Sequence, residues 1–154
     1  AWQGSDCWLA QSGSEGSVTT IIEKSKPKAF VICPVRNIEP DYKKKLEHKI
    51  NELEKDYDIY YPSRDTNQFD ETGYSICLAN RDAIKKAKVV FVAWDGKSYG
   101  SHFDLGVAFA YHKKIIPILD EFMPEKTSGK SFQNMILEWA KLYEKAPCDI
   151  DWSF

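Results

Sequence analysis

The chain has no long apolar run. Nowhere in its 154 residues do apolar side chains continue for the roughly 20 positions a membrane helix needs. The first residues also lack a basic segment followed by an apolar one, so neither a secretory leader nor membrane insertion is expected. An excess of one charge is missing as well: 21 Lys and Arg stand against 23 Asp and Glu, a net charge of -2. Without a basic surface, nucleic acid polymers and anionic lipid are not the expected partners, and a small molecule is. Paired cysteines are absent. The four present, Cys7, Cys33, Cys77 and Cys148, lie far apart with no C-x-x-C spacing, which favours reduced thiols in a cytoplasmic protein over a disulfide framework or a zinc site. His48 lies on a solvated helix face, and His102 and His112 stand at no metal-ligand spacing from any Cys or Asp, so no metal is assigned. Gly96, Gly100 and Gly106 do not fit G-x-G-x-x-G, and no G-x-x-x-x-G-K-[ST] loop occurs. Dinucleotide binding of the Rossmann type and P-loop hydrolysis are thereby disfavoured, and no cofactor is called for. Internal repeats are lacking too.

What is there suffices for one core: 43% of the residues are hydrophobic and 29% charged, in a length that supports a single domain. Residues 1–28 read as a flexible N-terminal tail or linker, with the Ser- and Gly-rich run Ser12–Ser17, isolated Trp2 and Trp8, and a short element of either kind over Val18–Lys24. The domain is expected over residues 29–154. Ala29–Cys33 is a short continuous apolar run stopped by Pro34, as in a strand buried on both faces. Pro40-Asp41 opens a helix whose Leu46, Ile50, Leu53 and Tyr57 share one face. Asp58–Tyr61 is a second strand, ended by Pro62, and Ser63–Thr72 reads as a loop. Tyr74–Lys88 reads as a helix with Ile76, Asn80, Ala83, Ile84 and Ala87 on its apolar face. Val89–Trp94 is the clearest buried strand, Asp95–Gly100 a loop, Ser101–Lys113 a helix and Lys114–Leu119 a strand. After a loop over Asp120–Lys130, a last amphipathic helix turns Phe132, Met135, Ile136, Trp139 and Tyr143 inward.

Strands alternating with helices predict a doubly wound α/β domain of Rossmann/flavodoxin type, with a parallel sheet of four to five strands and right-handed crossovers. Ligands of such sheets sit at the C-terminal strand ends. Arg36 and Asn37, then Arg64 and Asp65, then Asp95–Ser101 follow the first three strands and are expected to converge on one crevice.

Several residues there carry two readings. The loop Asp95-Gly96-Lys97-Ser98-Tyr99-Gly100-Ser101 offers N-H groups, hydroxyls and a helix start to an anion, or is an ordinary turn between strand and helix. Asp104 falls in the first turn of the helix, where the dipole favours an ionised carboxylate able to act as a nucleophile. Equally, Ser101-His102-Phe103-Asp104 reads as a capping box. Arg36 is either a phosphate clamp or a surface ion-pair partner, and Asn80 either contacts ligand or ties down the following loop.

Phe30-Val31-Ile32-Cys33-Pro34-Val35-Arg36-Asn37, Asn80-Arg81-Asp82-Ala83-Ile84 and Gly100-Ser101-His102-Phe103-Asp104-Leu105-Gly106-Val107-Ala108-Phe109-Ala110 together resemble nucleoside 2-deoxyribosyltransferases over Lys28 to about Leu119. The resemblance implies cleavage or transfer at an N-glycosidic bond of a (deoxy)nucleoside or its 5′-monophosphate. The family's nucleophile is a Glu that attacks the sugar C1′, and here Asp104 stands in its place, shorter by one methylene. A second acidic position of the family falls on Asn80, leaving Asp82 or Asp95 to protonate the departing base. Similarity to the branch that hydrolyses deoxynucleoside 5′-monophosphates implies phosphate contacts from Arg36 and Ser98, with Gly100 and Ser101 beside them. That branch's first-strand Ser falls on Pro34 and its active-site Tyr on Phe30. Phe132–Ile136 echoes a segment that family members donate to a neighbouring subunit, which implies a homodimer. Two rival readings stand beside this one: a non-catalytic nucleotide sensor on the same fold, and a TIR-like domain that cleaves NAD.

Overall fold

The computed structural model describes residues 25–119 and 125–145. The expectations for the tail before residue 25, for Cys7 and for Cys148 lie outside the described residues. Among the described residues nine elements follow one another: β1 (Lys28–Ile32), α1 (Pro40–Leu53), β2 (Asp58–Tyr60), α2 (Pro62–Asp65), α3 (Tyr74–Lys86), β3 (Val89–Val92), α4 (Tyr99–Ala110), β4 (Lys114–Pro117) and α5 (Phe132–Lys145). The four strands form one parallel sheet in the order β2-β1-β3-β4. Its registers pair Phe30 with Tyr60 and Val90, and Val90 with Ile115. This is a single α/β domain of Rossmann/flavodoxin type, and among the described residues no helix is long and apolar enough to cross a membrane.

The apolar runs become central strands because both sheet faces are covered, so residues of either parity find a core. Ala29, Val31, Cys33, Val89, Phe91 and Ala93 turn to one face, under Tyr42, Leu46 and Ile50 of α1. Phe30, Ile32, Val90, Val92 and Trp94 turn to the other, under Ile84 of α3, Leu105 and Ala108 of α4, and Ile136 and Trp139 of α5. The chain leaves β1 toward β2 with α1 on the first face. It then crosses back over β1 to β3, carrying α3 on the second. The sheet therefore reverses its winding between β1 and β3, and the loops after those strands frame the crevice such a reversal opens.

Three local differences from the sequence expectation have physical causes. Pro62–Asp65, expected inside a loop, forms a helical turn with Pro62 at its first position and Asp65 accepting from the Tyr61 N-H at 2.7 Å. α4 begins at Tyr99 rather than Ser101, because Ser98 supplies the cap. Phe132, expected inward, remains 56% exposed, although its ring meets His102 edge-on at 5.0 Å.

Candidate functional site

Asp104 is the buried carboxyl of the second face among the described residues. Ser98 is the N-cap of α4, its Oγ accepting from the Ser101 N-H at 3.2 Å, so Asp104 lies in the second turn and not the first. Neither the capping-box role nor stabilisation by first-turn N-H groups applies to it. One hundred degrees per residue carries Ser101, Asp104, Leu105 and Ala108 onto the buried side. Asp104 is only 7% exposed. Burial pushes its carboxyl up from the ordinary 3.8 to about 7, against one hydrogen bond that pulls it down: Asn80 Nδ2 donates to Asp104 Oδ2 at 3.0 Å.

Asn80 is itself held. Thr66 Oγ1 donates to Asn80 Oδ1 at 2.8 Å, and the Tyr60 hydroxyl lies 2.8 Å from Thr66 Oγ1. From the β1 side comes Cys33, whose thiol is pushed well up by burial first and then by Asp104 and Asp95. Cys77 of α3 is raised likewise by burial, then by Asp104 and Asp70. Both thiols thus feel the charge of Asp104, Cys33 from the end of β1 and Cys77 from α3. Both thiols are free and stay protonated at neutral pH, so they are poor nucleophiles.

The loop after β3 is built to present the start of α4. Asp95 Oδ1 accepts from the N-H groups of Lys97 and Ser98, both at 3.0 Å, and Gly96 sits at φ 70, the left-handed region that only glycine enters freely. Asp95 is thus a loop organiser. Gly100 has room beside it, since an added Cβ would meet Ser98 Oγ at 3.8 Å, an ordinary contact. Ser101 is fully buried, and its Oγ has no hydrogen-bond partner among the described residues. Ser98→Ala removes the cap and should lower stability by about 0.5–2 kcal/mol, whereas Ser98→Asn should retain most of it. Urea unfolding checks this, and an unchanged midpoint for the Ala variant would rule the cap out.

The other expected residues scatter. Arg36 is exposed in the loop after β1 and makes no hydrogen bond or ion pair with another described residue. Asp82 does not join Asp104: two residues on from Asn80 it is turned about 200° around the helix, out to an ion pair with Arg81 at 2.8 Å. Phe30 is completely buried, stacked on Tyr60 with ring centroids 5.6 Å apart, because its parity in β1 points it under α3. As placed, it belongs to the core and touches no open surface. Arg64 and Asp65 leave the expected crevice: Arg64 pairs with Glu54 at 2.6 Å and Asp65 at 2.8 Å and donates to the Ile59 carbonyl at 2.8 Å.

Thr66, Tyr60 and an aromatic group were not legible as site residues. Trp94, directly after β3, stands 4.6 Å from the His102 ring, and Phe132 closes on both. His102 Nδ1 lies 2.7 Å from the Ser98 carbonyl. A carbonyl only accepts, so Nδ1 carries the proton and, in the neutral ring, Nε2 is an acceptor. A tryptophan ending a buried strand was the available signal, whereas a Thr in a polar loop offers none. Asn134, in the segment expected to reach a neighbour, is engaged at home: its amide donates to the carbonyls of Thr127 and Gly129, both at 2.7 Å. Among the described residues no group of three or more His, Cys, Asp or Glu could hold a metal ion. No protein-family model and no curated protein sequence matches the chain.

Proposed function

We propose that this domain cleaves or transfers at the N-glycosidic bond of a (deoxy)nucleoside or nucleoside 5′-monophosphate, with Asp104 as the reacting carboxylate. The observation that carries the reading is Asp104 itself: a buried carboxyl whose proton affinity lies near neutral pH, on the helix that follows β3 at the winding reversal of a parallel sheet. A carboxylate poised near 7 suits attack on C1′ or proton exchange with a departing base. Asn80 cannot supply a proton as the family's acid would, and Asp95, spent on its loop, is the remaining carboxylate near Cys33. The resemblance to nucleoside 2-deoxyribosyltransferases supports the reaction class. Unengaged Arg36 and the Ser98 hydroxyl at the start of α4 support a phosphate subsite. An exposed apolar stripe on α4, with Tyr99, Phe103, Gly106 and Ala110 one above another, supports the homodimer that belongs to this reading.

The test is release of free base from a panel of nucleosides, 5′-monophosphates and NAD, paired with calorimetric binding. Base from a nucleoside or monophosphate supports the reading, and nicotinamide from NAD alone would replace it with a TIR-like activity. The near-complete burial of Asp104 favours one second reading, a non-catalytic nucleotide-binding domain, for which ligand binds and no base appears. Arg36→Ala should weaken monophosphate binding by about 1.5–3 kcal/mol, as a charge-assisted hydrogen bond requires. An equal loss for the unphosphorylated nucleoside would remove Arg36 from the phosphate.

A further inference from the structure

We propose that Thr66 and Tyr60 are positioning residues that fix the orientation of the Asn80 amide, so that it presents an N-H and not a carbonyl oxygen to Asp104. An ionised carboxylate takes only the N-H end of an Asn amide, but a protonated carboxyl bonds equally well to either end unless something chooses for the amide. Here the choice is made at its other end. Thr66 is buried and has a single hydroxyl proton, which goes to Asn80 Oδ1 at 2.8 Å. With that proton committed, the 2.8 Å contact to Tyr60 is made by the Tyr60 hydroxyl donating to Thr66 Oγ1. The competing acceptor for Tyr60, the Asp65 carbonyl, is farther away at 3.4 Å. Tyr60 is placed by its strand and by stacking on Phe30. The result is a directed chain, Tyr60 to Thr66 to Asn80 to Asp104, in which every donor points toward the carboxylate and each group is wholly or partly buried.

The consequence is chemical. A carboxylate facing the amide N-H is favoured over its protonated form, whereas facing the amide oxygen it would be penalised. The titratable groups coupled to Asp104 are the thiols of Cys33, from the end of β1 on the opposite sheet face, and Cys77 from α3, which also feel Asp95 and Asp70 respectively. Both thiols stay neutral across the range in which Asp104 titrates, so the amide is the polar group left to set its ionisation against burial. That the chain serves catalysis rests on Asp104 being the reacting carboxylate; that it governs the titration of Asp104 does not.

The experiment follows the carboxyl carbon of Asp104 by NMR as a function of pH in the full chain, without ligand. Thr66→Val keeps the shape and removes the proton that selects the amide orientation. It should raise the midpoint by about one pH unit or more, the scale of a hydrogen bond to a charged group. Thr66→Ser should restore the wild-type midpoint, and Tyr60→Phe, which leaves the Thr66 proton in place, should shift it by less than Thr66→Val. In wild type the Asn80 side-chain amide signals should move in step with Asp104, a readout that needs no variant to fold. An unmoved midpoint in Thr66→Val, or Asn80 signals indifferent to the titration, overturns the proposal. If the midpoints shift as stated and no base is ever released, the reaction assignment fails and the relay stands. If base is released and the midpoints do not move, the reverse holds.

Discussion

Asp104→Asn should abolish base release, lowering it by at least roughly a thousandfold, with ligand binding retained. The amide has nearly the same shape and can still accept from Asn80 Nδ2, the one hydrogen bond the Asp104 side chain receives among the described residues, so the site should keep its form. What it loses is a charged oxygen able to attack C1′. The pH profile of the wild type assigns the role. Since burial brings Asp104 to about 7, a nucleophile that must be ionised gives kcat/KM rising with pH and levelling above that value, whereas an acid that must be protonated gives one that falls through it. Turnover surviving in the folded Asn variant would remove Asp104 from the chemistry, and a flat profile between pH 5 and 9 would remove its titration from the rate.

The same substitution should stabilise the protein at alkaline pH. Asp104 is 7% exposed and its proton affinity is raised from 3.8 to about 7, so the folded state holds the proton more tightly than the unfolded one. Below 3.8 both states are protonated and the full contribution is present. Between the two values the unfolded chain ionises while the folded one does not, and stability declines. Above about 7 the whole contribution is gone, roughly 4 kcal/mol at 1.36 kcal/mol for each unit of difference. Asparagine does not titrate, so its advantage over the wild type should grow from pH 4 to pH 8.5 by several kcal/mol. Urea unfolding of both proteins at matched pH values measures the difference directly. Parallel curves would mean that the carboxyl is hydrated in the folded state and that its burial costs nothing.

Much of the architecture was legible because local signals agreed with the global fold. Ala29–Cys33 and Val89–Trp94 are apolar at every position, a pattern that fits a strand covered on both faces, and Leu46 and Ile50 recur at helical spacing and are buried in α1. α4 begins two residues before the expected Ser101, since Ser98 and Ser101 are equally good caps by type. Only the backbone course of the Asp95 turn, with its glycine at positive φ, selects between them.

The candidate site divides along the same line. Asn80 is legible because a polar residue on an apolar helix face is costly unless something pairs with it, and Asp104 as a carboxylate at the start of the helix after a buried strand; the two pair with each other across α3 and α4. Their shared environment came from tertiary packing. Whether Asp104 sits among first-turn N-H groups or is buried in the second turn decides if its carboxyl is held low or pushed up, and moving the cap from Ser101 to Ser98 reverses the sign. Parity within β1 put Phe30 in the core, the helical angle between Asn80 and Asp82 sent Asp82 to solvent, and the ion pairs of Arg64 drew it away from the crevice. The sequence by itself determined which segments could be buried, since that depends on side-chain type and period. Which polar groups meet depends on how α3 and α4 are set side by side over β1, and that was decided by the tertiary structure alone.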